Sequence, residues 1–269
     1  MERMEAKNMD SVYVAALRNM ASTLRTLEGR VQPPAIVTIR GGQAYRYVEK
    51  TPHQAIIMKL ARLATSLNAA RVLLGAGLLQ DQGAAQRVID EMNEDVSYLS
   101  LGLIRSEWPS WNDRFLAEFW QEEFDAPTAM RSTQRRDRVP REKVRAFIAK
   151  FEEGGLDQST RVNVTATVAN TYSGYVHGAG SHIMEMYFGD PPRFHVGASY
   201  ASPFWDDHVG DLNNYYLRGI CSFGLAAAAF GDADLRGTII DFRTHFEAAA
   251  GMSFDMDEIA KKMKKQKGK

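Results

Sequence analysis

The run from Ile56 to Leu78 constrains the fold more than any other part of this chain. Ile56, Leu60, Leu63, Leu67, Ala70, Leu74 and Leu78 follow one another at spacings of 4, 3, 4, 3, 4 and 4. That rhythm places every apolar side chain on one stripe of an α-helix. Thr51-Pro52 supplies the start signal, with threonine as the cap and proline at the first helical position, where its missing N–H costs nothing. After Gln80-Asp81-Gln82-Gly83 the pattern resumes through Ile89, Met92, Val96, Leu99 and Leu103. The four-residue break predicts an antiparallel helical hairpin over 52–104, with Leu60, Leu63, Leu67, Val96 and Leu99 buried.

The same period recurs elsewhere. A helix is expected over Ser11–Leu27, and an aromatic one carries Phe115, Phe119 and Trp120 after Trp108-Pro109-Ser110. Pro140 opens a helix with Val144, Phe147, Ile148 and Phe151, which Gly154-Gly155 ends. Ser202-Pro203 caps one that runs to Phe230, Asp232–Ala249 forms the next, and Ser253 caps a last short one. Residues 28–51 read as irregular or as a short extended excursion. Val162, Val164, Ala166 and Val168 alternate as in a strand, but only Ala35–Ile39 and Phe194–Val196 could pair with them. A helix is therefore expected there too. The fold class is all-α, a multi-helix bundle in one domain spanning 1–269 and built around the long hairpin.

Composition narrows the class of protein. With 45% hydrophobic and 25% charged residues the chain is an ordinary globular one. Cys221 is the sole cysteine, so no intramolecular disulfide or cysteine-clustered zinc site can form, and a cytoplasmic location is expected. The start MERMEAKNMD lacks the apolar run of a signal peptide, and Ile220–Phe230 is roughly half the ~20 residues of a membrane span. The formal charge of zero hides a segregation. Arg131–Arg145 carries seven basic residues against Asp137 and Glu142, and Lys261–Lys269 adds six lysines. Setting those aside leaves 20 basic and 31 acidic residues in an acidic body. Arg131–Arg145, which overlaps the basic loop over 126–139 and includes Arg135 and Arg136, and the flexible lysine tail after about 262 could meet nucleic acid phosphates or simply be solvated.

Polar residues of interest concentrate in two helices. Asn163, Asn170 and His177 recur every seven positions, with Ser173 and Ser181 one turn either side of His177. Such a stripe meets a partner helix or lines a site, and Tyr175 stands beside it. Arg87 and Glu91 are an i, i+4 pair with Asp95 one turn on, and Asn68 and Arg71 on the first hairpin helix are possible partners across the hairpin. They form either a surface salt bridge or a buried polar network. His182–Glu185 and Asp206-Asp207-His208 match no metal-ligand motif, and neither a P-loop, a Gly-x-Gly-x-x-Gly nor a Gly-x-Ser-x-Gly occurs. No metal or cofactor is expected.

The run Gly77-Leu78-Leu79, the stretch Arg87-Val88-Ile89-Asp90-Glu91 and the later Tyr172-Ser173-Gly174-Tyr175-Val176-His177-Gly178 resemble uncharacterised bacterial all-helical proteins related to the HEPN (higher eukaryotes and prokaryotes nucleotide-binding) superfamily. The resemblance implies a homodimer acting by partner or nucleic-acid binding in bacterial stress or antiphage defence. The alternative it implies is a metal-independent ribonuclease. Active ribonucleases of that superfamily carry Arg-x(4–6)-His on a helix. Only Arg46 and His53 match that spacing, and Pro52 takes the preceding residues out of helical geometry. The ribonuclease alternative would therefore use His177 with an arginine from another helix, with Arg87 and Glu91 as the other catalytic candidates; Asn68, Arg71, Asn170, Ser173, Tyr175, Arg135 and Arg136 are the binding candidates.

Overall fold

The computed structural model describes residues 2–39, 41–122, 124, 126–133, 135–151 and 157–251. Among them are nine α-helices: α1 (Glu2–Glu28), α2 (Pro52–Gly75), α3 (Leu79–Arg105), α4 (Asn112–Trp120), α5 (Arg141–Phe151), α6 (Gln158–His177), α7 (Gly180–Met184), α8 (Trp205–Ala229) and α9 (Ala233–Ala249). Two antiparallel two-stranded ribbons accompany them, β1 (Ala35–Ile39) with β2 (Gly42–Arg46) and β3 (Tyr187–Phe188) with β4 (Arg193–Phe194). The chain is an all-α bundle.

Helix α2 begins where its sequence says it should. Thr51 accepts from the Gln54 amide, and the Gln54 side chain accepts from the Thr51 amide in return, which satisfies two donors at the helix start. Lys59 lies 2.7 Å from Asp95. These residues are nearly equidistant from the turn, which fixes α2 and α3 as antiparallel. Leu60, Leu63, Leu67, Val96 and Leu99 are all fully buried.

The turn sits earlier than the four-residue break suggests. Ala76–Leu78 forms it, and Gln80–Gly83 belongs to the first turns of α3. Gly77 makes the turn at φ +72°, a conformation that disfavours side chains, and its carbonyl accepts from the Ser199 amide at 2.9 Å. Gly83 is a packing point, not a breaker. A Cβ there would stand 2.6 Å from the Tyr175 ring, so glycine lets α6 close onto α3.

Around the hairpin, α8 packs on α2 and α3, α1 and α9 pack against α8, and α5 and α6 cover α3. Gly219 of α8 approaches Leu67 so closely that a Cβ would fall 2.6 Å from its methyl. Tyr98 of α3 anchors an aromatic cluster with Trp108, Trp111, Phe115 and Phe147.

Other boundaries differ from those read in the sequence. Helix α1 starts well before Ser11, and α8 starts at Trp205, with Ser202 accepting from the Phe204 amide. Within 28–51 the chain makes the β1–β2 ribbon. The ambiguous 161–168 segment is helical because Thr165, Thr167 and Thr171 donate to carbonyls four residues back, satisfying within the helix the hydroxyls that favour strands. Gly154-Gly155, the cap at Ser253 and the tail after 262 lie outside the described residues.

Candidate functional site

Helix α3 carries an unusual burden. Gln82, Gln86, Asp90, Asn93, Glu94, Asp95 and Ser100 are all buried. Four of them, Gln82, Gln86, Asp90 and Asn93, recur at 4, 4 and 3 and so form one stripe. Partners for Gln82, Asp90 and Asn93 come from α8, while both polar side-chain atoms of Gln86 are buried without a hydrogen-bond partner among the described residues. His208 Nδ1 lies 2.5 Å from Gln82 Oε1, and Gln82 Nε2 donates to the His208 carbonyl at 3.1 Å. Asp90 receives Tyr215 OH at 3.0 Å and Arg218 Nη1 at 2.6 Å, and Ser222 donates to Asn93 Oδ1 at 2.7 Å. A polar seam therefore runs the length of the α3–α8 contact.

Charge is concentrated at one end of this seam. Glu94 accepts from Arg141 at 2.6 Å and from Arg145 at 2.8 Å, while Asp95 accepts from Arg141 at 2.6 Å and pairs with Lys59. Burial works against the Arg141 charge, but Asp95 and Glu94 outweigh it and hold the guanidinium protonated. Burial likewise pushes the Asp90 carboxyl up, against the opposing pull of Arg218 and Tyr215.

Beside this cluster opens a cleft of about 570 Å³. Helix α3 gives it Asn93, Glu94 and Ser97; α5 gives Arg145 and Ile148; α6 gives Arg161, Val162, Val164 and Val168; α8 gives Leu217, Arg218, Cys221 and Leu225; α9 gives Arg243. Its floor is polar and buried, for Asn93 and Glu94 are 5% exposed. On the α6 side its rim is aliphatic and open, for Val164 and Val168 are 48% and 37% exposed. Asn93 Nδ2 is buried without a hydrogen-bond partner among the described residues. Buried amide donors are nearly always satisfied, so an orphan on a cleft floor marks a place for an acceptor. Arg145 and Arg218 line the same cleft, each with N–H groups beyond the one spent on an acid. The volume lies within the range of small-molecule sites.

No protein-family model, curated protein or solved structure matches this chain. The site's chemistry rests on its own residues.

A second polar cluster lies where α3 begins and α6 ends. Tyr175 donates to Glu185 Oε2 at 2.9 Å, Gln80 donates to the His182 carbonyl at 2.8 Å, and His208 Nε2 stands 3.8 Å from Glu185. Tyr172 donates to Asp211. Burial lowers the His208 pKa to about 4 and raises those of Glu185 and Asp211. The histidine shift makes stability pH-dependent. Between 6.5 and about 4 the unfolded chain takes up a proton at His208 that the folded one refuses, so this contribution is complete above pH 6.5 and is lost as pH falls through that window. It amounts to at most roughly 3 kcal/mol. The raised carboxyls act in the opposite direction, so the readout is a difference. Urea melts from pH 7 to 4 should show the native protein losing more stability than His208→Gln, and parallel curves would contradict the assignment.

The residues singled out from sequence are dispersed. His177, Asn163 and Asn170 face solvent on α6, Ser173 is half-buried, and Tyr175 belongs to the Glu185 cluster. Arg87 and Glu91 make their i, i+4 pair at 2.8 Å, but Asp95 turns to Lys59 and Arg141. Asn68 and Arg71 do not reach across the hairpin. Arg71 donates to Asn68 at 3.2 Å and to Asp10 of α1 at 2.6 Å. Arg136 lies 3.5 Å from Glu118, Arg135 is exposed with its carbonyl accepting from Gln121, and Arg138 and Arg141 also face acids. Much of the basic loop's charge is thus already met within the fold. Arg46 binds Glu122 through two nitrogens while the His53 ring packs on Phe230, so that pair does not converge either.

Sequence reasoning missed Asn93, Glu94, Arg145, Arg218 and Arg243. The available signal was polar periodicity. Asp211, Tyr215, Arg218 and Ser222 recur at 4, 3 and 4 on α8, and the matching stripe on α3 recurs at 4, 4 and 3. Among the described residues no helix is long and apolar enough to cross a membrane.

Proposed function

We propose that this chain is a helical binding module of the HEPN-like kind its motifs suggest, and that it takes a small phosphate-bearing ligand in the cleft among α3, α5, α6, α8 and α9. The observation that carries the reading is one cleft lined by the orphan Asn93 amide and by Arg145 and Arg218. Arginine suits this task because its planar N–H groups grip phosphate oxygens in pairs while part of the guanidinium stays bound to a carboxylate. Among the described residues the cleft is lined by four arginines, Arg145, Arg161, Arg218 and Arg243, and by one carboxylate, Glu94; Arg218 and Arg243 also pair with Asp90 and Glu247.

A ribonuclease reading asks for His177 next to a free arginine. His177 instead stands exposed at the end of α6, and Arg87 is bound to Glu91. Binding at the cleft also differs from coating an RNA along the basic loop, where Arg136 and Arg138 are engaged by Glu118.

Isothermal titration with pyrophosphate and with ethyl phosphate tests the proposal. Arg243 is partly exposed and pairs only along its own helix, so Arg243→Gln keeps the fold and should weaken binding about fivefold to tenfold, the worth of one screened charge-assisted contact. Asn93→Asp sets a carboxylate against the ligand and should abolish binding. His177→Ala should change neither binding nor melting temperature. Binding that ignores Arg243 and Asn93 but fails in His177→Ala would transfer the site to α6.

A further inference from the structure

We infer that the ligand of this cleft is an amphiphile, an anionic head on an unbranched or isoprenoid aliphatic chain, and not a nucleotide. The inference rests on the cleft being an anion site and adds what lies above its floor.

Two observations point to the chain. First, no phenylalanine, tyrosine, tryptophan or histidine lines the cleft among the described residues. Nucleobases are held chiefly by stacking on aromatic rings or on guanidinium planes. The guanidinium of Arg218 already lies over the Tyr215 ring at 5.1 Å, and that of Arg145 is held by Glu94. Second, the wall above the floor is built of branched aliphatics from three helices, Ile148, Val162, Val164, Val168, Leu217 and Leu225. Val164 and Val168 stay substantially exposed, although Leu217 beneath them is 3% exposed. The cleft thus joins a buried polar patch, Asn93 and Glu94, to an aliphatic surface that reaches solvent at Val164 and Val168. A molecule that matches both ends buries its head against Asn93, Arg145 and Arg218 and lays its chain along the valines of α6. Such a chain removes apolar surface on both sides from water, and each methylene covered adds to affinity.

Cys221 makes the test direct, being the sole cysteine, exposed, and set in the cleft wall. Its alkylation by neutral N-ethylmaleimide is followed in the presence of four probes kept below micellar concentration: dodecyl phosphate, ethyl phosphate, adenosine monophosphate and dodecyl maltoside. Dodecyl phosphate should slow alkylation at about a tenth or less of the ethyl phosphate concentration needed for equal protection, and should raise the melting temperature. Adenosine monophosphate should fall with ethyl phosphate, and dodecyl maltoside should not protect. Val164→Ser, a neutral exposed rim change that spares the core, should shrink the advantage of the long chain over ethyl phosphate. If ethyl phosphate or adenosine monophosphate protects as well as dodecyl phosphate, the anion site stands and the amphiphile is overturned. Equal protection by dodecyl maltoside, or a lowered melting temperature with dodecyl phosphate, also overturns it. If no anion protects Cys221, the binding reading itself falls.

Discussion

Glu94→Ala should cost this protein about 3–5 kcal/mol, because the substitution strands the nearly buried Arg145 guanidinium and takes from Arg141 one of its two carboxylates. Glu94 is 5% exposed and accepts from Arg141 through Nε and Nη2 and from Arg145 through Nε. Without it Arg141 keeps Asp95, whereas Arg145, whose side chain is 10% exposed, loses the carboxylate that holds it. Against a typical stability of about 5–15 kcal/mol the loss is large, and for a chain of this size it lowers the melting temperature by roughly 6–20 °C. Replacing Glu94 and Arg145 together by methionine should recover much of that, since it removes the stranded charge along with its partner. A Glu94→Ala protein that melts within about 2 °C of the native one would show the network to be hydrated and not structural.

Leu67→Ala is the second large effect, with an expected cost of about 2–5 kcal/mol from lost burial and from the void it leaves. Leu67 is fully buried where α2 meets α8, directly against Gly219. Gly219→Ala alone should also destabilise, by about 1–3 kcal/mol, since its methyl would enter the space that Leu67 occupies. Combined, the two changes should cost less than their sum because the alanine methyl fills part of the cavity. Chemical denaturation of the four proteins in this cycle measures the coupling. Strict additivity would mean that α2 and α8 do not interlock at this point.

The hairpin was legible because its signal is local. The spacing of leucines in α2 and the Thr51-Pro52 start are properties of neighbours in sequence, and the structure places the stripe at the bundle's centre. The turn was misplaced because Gly83 reads as a breaker, whereas its missing side chain is spent on the ring of Tyr175, a residue 92 positions away. The strand-like alternation over 162–168 has a similar cause. Val162, Val164 and Val168 are not a sheet face; they edge the cleft from one side of α6.

The candidate site was scarcely legible at all. Polar residues at helical spacing normally mark a solvated face, so the stripe Gln82, Gln86, Asp90 and Asn93 reads as surface until α8 buries it and supplies partners for Gln82, Asp90 and Asn93. The cleft's arginines come from α5, α6, α8 and α9, and no linear motif gathers residues 145, 161, 218 and 243. The polar run closing α6 drew attention because it is dense, yet its helix turns Asn163, Asn170 and His177 outward. Density along the chain is not convergence in space.

Tungstate is an electron-dense tetrahedral oxyanion, and an anomalous difference map from crystals soaked in it reports most directly whether the cleft is an anion site. The account predicts a peak on the cleft floor, within hydrogen-bonding distance of Asn93 Nδ2 and of the Arg218 and Arg145 guanidinium groups, and its loss in Asn93→Asp. Tungstate bound elsewhere, at the Arg135–Arg136 loop or beside His177, with the floor left empty, would contradict it.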